Sequence, residues 1–355
     1  MRRYFIGQFY ASNKFFFLLR HCLLQSIPIL FRFCHVIDPL NIISSSQQPI
    51  DPHRRHLPVL SVLSYFEIFQ YPLTAPEIFS FAGNPDLTEE NVYAVLEKGI
   101  LDGQVYQFGP YYQTIDAPDW AGKRKDLNDR ADQFVPIACR MGRLIGQFPF
   151  IRAVMVSGSL SKHSMGEDGD IDFFLITTPG RLWVARTLLV LFKKIFLLNS
   201  RKYFCVNYFI DTNHLEIEEK NLFTATECAT LLPVYGGQWY AAFIKANQWV
   251  SSGYFPHFSP RDTALVPPDK PGRLKRGLEI LLQTRFGALL DRWAMAVTLS
   301  FWNRKFKQLD TSQFELALKS RTYVSKHHPL SFQEKVLNKY TALMAERSGC
   351  NNDNV

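Results

Sequence analysis

Residues 156–176 read VSGSLSKHSMGEDGDIDFFLI. An apolar run ending at Val156 breaks at Gly158-Ser159, passes through polar and charged residues, and becomes apolar again through Asp170-Ile171-Asp172. Read as a strand, Asp170 and Asp172 are two apart and point to one side, with Ile171 pointing to the other. Two carboxylates that close repel unless a cation lies between them. Mg²⁺ suits the pair, because it prefers oxygen ligands and keeps room for substrate phosphates. Two such ions clamp the attacking and leaving oxygens of a phosphoryl-type displacement. Upstream, Gly158 permits close backbone approach, and a helix opening after it would turn N–H groups toward a phosphate. Ser159 adds a hydroxyl and Lys162 a cation. Glu167 and Asp168 fall on the solvated loop between the two elements.

Outward from this stretch, RKDLNDRADQFVPIACRMGRLIGQF (124–148) has helical spacing and leads into a strand, IRAVMV. DIDFFLIT is a second strand, Pro179-Gly180 a turn, and RLWVARTLLVLFKKIFLL (181–198) a long helix. KYFCVNYFID (202–211) reads as a third strand, and LFTATECATLLPVY (222–235) and the residues after it as helical pieces. The order predicts an α+β domain over 119–250, a small mixed sheet with flanking helices.

Gly158-Ser159, followed twelve residues after Gly158 by Asp170-Ile171-Asp172 and Phe173-Phe174-Leu175, resembles the polymerase-β-like nucleotidyltransferase superfamily. Its pattern is Gly-Ser, about ten residues, then Asp-x-Asp in an apolar strand. The resemblance covers about residues 150–210 and is to its small bacterial members, some with an N-terminal winged helix. It implies transfer of a nucleoside monophosphate from an NTP to an acceptor hydroxyl or phosphate, with Mg²⁺ and release of pyrophosphate. Gly158 and Ser159 would hold the triphosphate with Lys162 assisting, and Asp170 and Asp172 the metal ions. Three positions depart from the pattern. His163 and Gly169 stand where many members have Gly and Ser. The third carboxylate, expected in the middle of the neighbouring strand, is replaced by Asn207. Asp211, four residues on and thus on the face of Asn207 in a regular strand, is the best acid available as a third catalytic carboxylate. Glu216 is a further candidate if the strand continues.

Residues 56–118 form a separate small unit. LPVLSVLSYFEIFQYP, LTAPEIFSFAG and LTEENVYAVLEKGILDG read as three helices, with Thr74 and Thr88 as caps, and QVYQFGPYYQTI as a hairpin around Gly109-Pro110. Three helices and a hairpin predict a winged helix-turn-helix. From Leu57 to Ile115, however, one lysine stands against seven acids, a net of −6. Phosphate neutralisation supplies most non-specific DNA affinity, so a protein-contact or packing module is expected rather than a DNA reader.

A Pro/Gly-rich connector (251–272) leads to a C-terminal region (273–345) expected to be helical throughout, with a disordered tail over 346–355. Lys270–Lys339 holds fourteen Lys and Arg against five acids, a net of +9. That is either a solvated helical face or a basic wall beside a phosphate-bearing substrate. FGALLDRWAMAVTLSFW (286–302) is interrupted by Asp291-Arg292 and reads as a packed core helix. SKHHP (325–329) reads as a helix-ending turn, with Lys326 and His327 near a phosphate as the alternative.

The chain has 355 residues and a formal net charge of +8. Its six cysteines form no C-x-x-C pair, so buried thiols in a reducing cytoplasm are expected, and His21-Cys22 and Cys34-His35 fit no zinc-finger spacing. Residues 1–55 read as a leader and linker, disordered or outside the functional protein, with a weak interfacial helix as the alternative. Arg20, His21 and Arg32 interrupt their apolar patches, which leaves no clean transmembrane span. Two function classes are carried forward: an Mg²⁺-dependent nucleotidyltransferase, and a nucleotide-binding or scaffolding protein with little or no turnover, which Asn207 favours.

Overall fold

The computed structural model describes residues 52–200, 202–307, 314, 318–326 and 332–347. The leader up to residue 51, His327 and the last eight residues lie outside the described residues. Residues from Ile50 onward belong to one compact unit.

Helix α1 (Pro52–Glu67) buries Val59, Val62, Leu63 and Phe66, a three-and-four spacing that puts them on one face. It starts inside the segment expected to be linker, which therefore ends before residue 52. Helix α2 (Ala75–Phe81) is fixed at its start by Glu77, whose carboxylate accepts the Thr74 N–H at 2.8 Å. Helix α3 (Glu89–Leu101) is capped by the Thr88 hydroxyl, which accepts from Asn91 N–H. Strands β1 (Tyr106–Phe108) and β2 (Tyr111–Gln113) pair antiparallel. A bridge between Leu73 and Tyr112 ties this hairpin back to the helices. Three helices and a hairpin are thus present in the expected order.

Helix α4 (Asp119–Gly146) leads to the main sheet and buries Ala131, Ala138 and Ile145 at seven-residue intervals. The sheet comprises β3 (Ile151–Ser157), β4 (Asp172–Thr177), β5 (Cys205–Asp211), β6 (Leu232–Tyr235) and β7 (Val324–Lys326), in the order β6-β3-β4-β5-β7. Only β4 and β5 run parallel, joined by helix α6 (Leu182–Phe196). Two strands were not foreseen. The segment containing β6 was read as helical; Pro233 has no N–H to donate and is tolerated because β6 is an edge strand. Strand β7 forms the other edge and breaks the C-terminal region expected to be all helix. Lys326 is its buried last residue, so Ser325 and Lys326 are strand rather than the expected helix-ending turn.

A helical turn, α5 (Gly158–Ser161), links β3 toward β4. Helices α7 (Leu222–Thr230), α8 (Gly237–Ala246) and α9 (Trp249–Gly253) cover the sheet face that carries Met155, Phe174, Ile176 and Ile210. Helices α4, α6 and α11 (Arg285–Lys305) cover the opposite face, which carries Val154, Phe173, Leu175 and Phe209. Helix α12 (Phe332–Arg347) returns to α1, where the Tyr340 and Ser61 hydroxyls lie 2.6 Å apart.

Helix α10 (Arg273–Leu282) is set with charged residues inward. Lys275 Nζ donates to the carbonyls of Gly146 at 2.9 Å and Ile151 at 2.6 Å, and pairs with Asp269 at 2.9 Å. Glu279 accepts the Phe150 N–H at 2.7 Å and faces Arg152 at 3.1 Å. Burial pushes the Lys275 ammonium below its ordinary range, and Asp269 opposes that shift. The basic-wall reading therefore loses Lys275 to the interior. Lys275→Ala leaves Asp269 and two carbonyls without this buried donor. Chemical denaturation should record a loss of about 3 kcal/mol or more, and a loss below about 1 kcal/mol would place the group in effective contact with water.

Candidate metal centre

The site forms where β3 ends. Ser157 pairs with Asp172 across the antiparallel register, and the chain then turns at Gly158 with φ +70°. A Cβ at this position would stand 2.7 Å from Asp172 Oδ2. Glycine is thus required twice, once for the left-handed backbone and once for the close approach of a carboxylate. Ser161 Oγ and Lys162 Nζ both donate to the Gly158 carbonyl, at 2.8 and 3.0 Å. His163, where the resemblance leads one to expect glycine, is also left-handed (φ +57°). Its ring is held by Asp132 of α4 at 2.8 Å. The turn has a backbone that favours glycine, and histidine occupies it at a cost of roughly 1 kcal/mol.

Asp172 opens β4, whereas Asp170 lies just before it, so the two acids do not share a regular strand as expected. They still converge. One donor atom each from Asp170, Asp172 and Cys205 lie within 4.8 Å of one another, a group placed to hold a metal ion. Cys205 enters because it pairs with Asp172 in the parallel register. Burial first, and Asp170 second, push the Asp172 carboxyl up to about 7. Burial, followed by the two carboxylates, raises the Cys205 thiol as well. At neutral pH the sulfur therefore keeps its proton, and it donates to Asn207 Oδ1 at 3.3 Å. That leaves the carboxyl oxygens of Asp170 and Asp172 as the donors, Asp172 giving up its proton to a cation, and oxygen donors suit a hard cation better than a thiophilic one.

Asn207 Nδ2 donates to Asp172 Oδ1 at 2.6 Å. The residue expected to supply a third acid instead supplies a neutral donor to one that is present. Asp211, the proposed substitute, is elsewhere. Phe173 pairs with Val206 but Phe174 with Tyr208, so the strand bulges at Asn207 and its alternation inverts. Beyond the bulge, Asp211 pairs with Thr177, on the other face and roughly 16 Å along the strand from Asp172. It is buried there and accepts from Asn213 N–H at 2.9 Å and the His214 ring at 2.7 Å. Glu216 pairs with Lys220 at 2.6 Å and lines an open hollow of about 650 Å³ with Thr212, His214 and Glu218. That hollow does not include the carboxylate pair.

Lys162 is close to the site but engaged, with its ammonium 2.7 Å from Glu227 of α7. Ser159 is exposed on the first residues of the turn. Glu227, whose charge raises the Asp172 pKa further, is an acid that sequence reasoning missed. It sits on a helix distant in sequence, where nothing in its local pattern marks it. Cys205 was legible only through the strand register. The N-terminal unit also reaches this region: the Tyr71 hydroxyl contacts the Asn128 amide at 3.1 Å and the Lys162 carbonyl at 3.3 Å. No family model, curated protein or solved structure matches this chain.

Gly158→Ala forces a methyl against Asp172 and strains the backbone. It should cost about 2 kcal/mol or more in thermal unfolding, and unchanged stability would mean that the turn relaxes freely. Asp172 makes the pH response specific. Its folded-state pKa lies above its unfolded value, so its ionisation disfavours the fold. The contribution of Asp172 to stability is greatest below about pH 4 and falls as pH rises toward about 7. Asp172→Asn should therefore gain thermal stability relative to the unsubstituted protein between about pH 5 and pH 8. A difference that stays constant across that range would contradict the buried, proton-sharing environment.

Proposed function

We propose that this chain is a nucleotidyltransferase of the polymerase-β-like type, preceded by a winged helix that packs against its own site, and that it uses an NTP with Mg²⁺. The observation that carries the reading is the convergence of Asp170 with Asp172, the acid against which Gly158 packs. The methyl-free surface of Gly158 lies against Asp172, where the turn proposed to hold phosphate meets the carboxylate. In the reaction, an acceptor hydroxyl or phosphate oxygen attacks the α-phosphorus. A P–O bond forms, the bond to the bridging α–β oxygen breaks, pyrophosphate leaves with that oxygen, and the proton of a hydroxyl acceptor passes to solvent. Asp170 and Asp172 would hold Mg²⁺, which offsets phosphate charge when bound. Gly158 and the exposed Ser159 would border the triphosphate. Lys162, already bridged to Glu227, positions the turn rather than reaching freely for phosphate.

The Asn207 amide favours a second reading, a nucleotide-binding module with little turnover. It adds no negative charge and offers no base at the place where a third carboxylate would act. The N-terminal unit supports an intramolecular role for the winged helix. Arg124 of α4 lies over the rings of Tyr71 and Tyr111, 4.4 Å from each centroid, and pairs with Glu77 at 2.6 Å. Glu89 and Glu90, which open α3, are exposed and oppose contact with phosphates.

Two assays separate the readings. Pyrophosphate release and transfer of labelled nucleotide to components of a lysate, with each NTP and Mg²⁺ or Mn²⁺, should be lost in the Asp170→Ala/Asp172→Ala protein. Nucleotide binding without release or transfer selects the second reading. Asn207→Asp supplies the absent charge. It should lower thermal stability without cation and raise Mn²⁺ affinity about tenfold, and unchanged affinity would show that this position does not face the cation.

A further inference from the structure

The two helices that come after the connector show a surface that the proposed chemistry does not use. In α10 the usual amphipathic arrangement is reversed. Lys275 and Glu279 are 2% and 8% exposed, while Leu274 is 79% and Ile280 and Leu281 are each 65% exposed. The setting is enforced, because Lys275 and Glu279 bond to the backbone of Gly146, Ile151 and Phe150. Rotating α10 to hide its leucines would strand those buried charges.

Helix α11 continues the pattern. Phe286, Leu289, Trp293, Val297 and Phe301 are all exposed and succeed one another at three- and four-residue steps, so they form one stripe. Its opposite side, with Ala294 and Trp302, packs into the core. The corner between the helices is tight. A Cβ on Gly287 would fall 1.7 Å from the Leu282 carbonyl oxygen, and Arg181 binds the carbonyls of Leu282, Gln283 and Thr284. The apolar residues on both sides of the corner are therefore rigidly presented.

The exposed charges of these two helices have one sign. Arg273, Arg276, Arg285, Arg292, Arg304 and Lys305 are exposed. The two acids of residues 273–307, Glu279 and Asp291, are both buried, and Asp291 accepts the Val184 N–H at 2.9 Å. No helix among the described residues is long and apolar enough to cross a membrane.

We infer that the outward face of α10 and α11 seats the protein on an anionic lipid surface, with the apolar stripe in the headgroup–acyl boundary and the arginines among lipid phosphates. Charge complementarity chooses this occupant. Two copies joined through the face would bring arginines together with no carboxylate to offset them. A nucleic acid would satisfy the arginines but leave Leu274, Leu278, Ile280, Leu281, Leu289 and Val297 without a partner, since aliphatic side chains offer bases no stacking plane. A lipid surface takes both groups at once.

The test is flotation of the full chain with vesicles of phosphatidylcholine alone or mixed with phosphatidylglycerol. The protein should float with the mixed vesicles, weakly or not at all with phosphatidylcholine, and less as salt rises. Phe286→Glu/Trp293→Glu should lower binding by about tenfold or more, and Arg285→Gln/Arg292→Gln should do so chiefly at low salt. Both pairs are exposed, so circular dichroism and thermal unfolding should match the parent protein. Three outcomes overturn the inference: flotation unaffected by the Phe286/Trp293 pair, which places binding elsewhere in the chain; no flotation, with a concentration-dependent dimer that this pair abolishes; or no flotation, with salt-sensitive binding of an RNA oligonucleotide.

Discussion

Most of the candidate site depends on one close approach, the packing of the Gly158 backbone against the Asp172 carboxylate. It requires a residue without Cβ at the end of β3 and sets the left-handed turn from which Ser159 and Lys162 project. Burial, and after it the Asp170 charge, pushes the Asp172 carboxyl at this contact up to about 7. The antiparallel pairing of β3 with β4 places the turn beside the acid, and the parallel pairing of β4 with β5 brings in Cys205 and Asn207. A side chain at residue 158 would displace the group around which the other residues are arranged.

Under the proposed function, the same constraint bears on the balance between binding and turnover. Two carboxylates within reach of one another in a partly buried site favour either a proton or a cation between them. Here Asn207 and Cys205 both present donor hydrogens to this small region, and Lys162 is committed to Glu227. Such surroundings stabilise the pair without a cation better than a third carboxylate would. They also offer less negative charge to a metal ion and, under the proposed function, no carboxylate at Asn207 to serve as base for an acceptor hydroxyl.

The local part of this arrangement was legible in the sequence. Gly-Ser, the apolar flanks and the acid pair are contiguous, and glycine at a left-handed position and alternation along a strand are local rules. The three helices and hairpin of the N-terminal unit were legible for the same reason, since caps and spacing lie within each segment. What failed was long-range or irregular. Asp211 was chosen by counting four residues along a regular strand, but the bulge at Asn207 inverts the count. Glu227 acts on Asp172 electrostatically only because α7 packs across that face. The edge strands β6 and β7, at four and three residues, are formed by their neighbours rather than by their own propensity. The inward charges of α10 were read as part of a basic surface, since the carbonyls that bind Lys275 lie more than a hundred residues away.

The central claim is that Asp170 and Asp172 hold the divalent cation through which a nucleoside triphosphate is bound. Isothermal titration calorimetry of the full chain with ATP, GTP, CTP and UTP, in Mg²⁺ and in EDTA, tests it most directly. At least one of the four should bind in Mg²⁺, chelation should remove the binding, and Asp172→Asn should remove it too. Equal affinity in EDTA, or binding undiminished by that substitution, would contradict the claim, as would the absence of binding by all four.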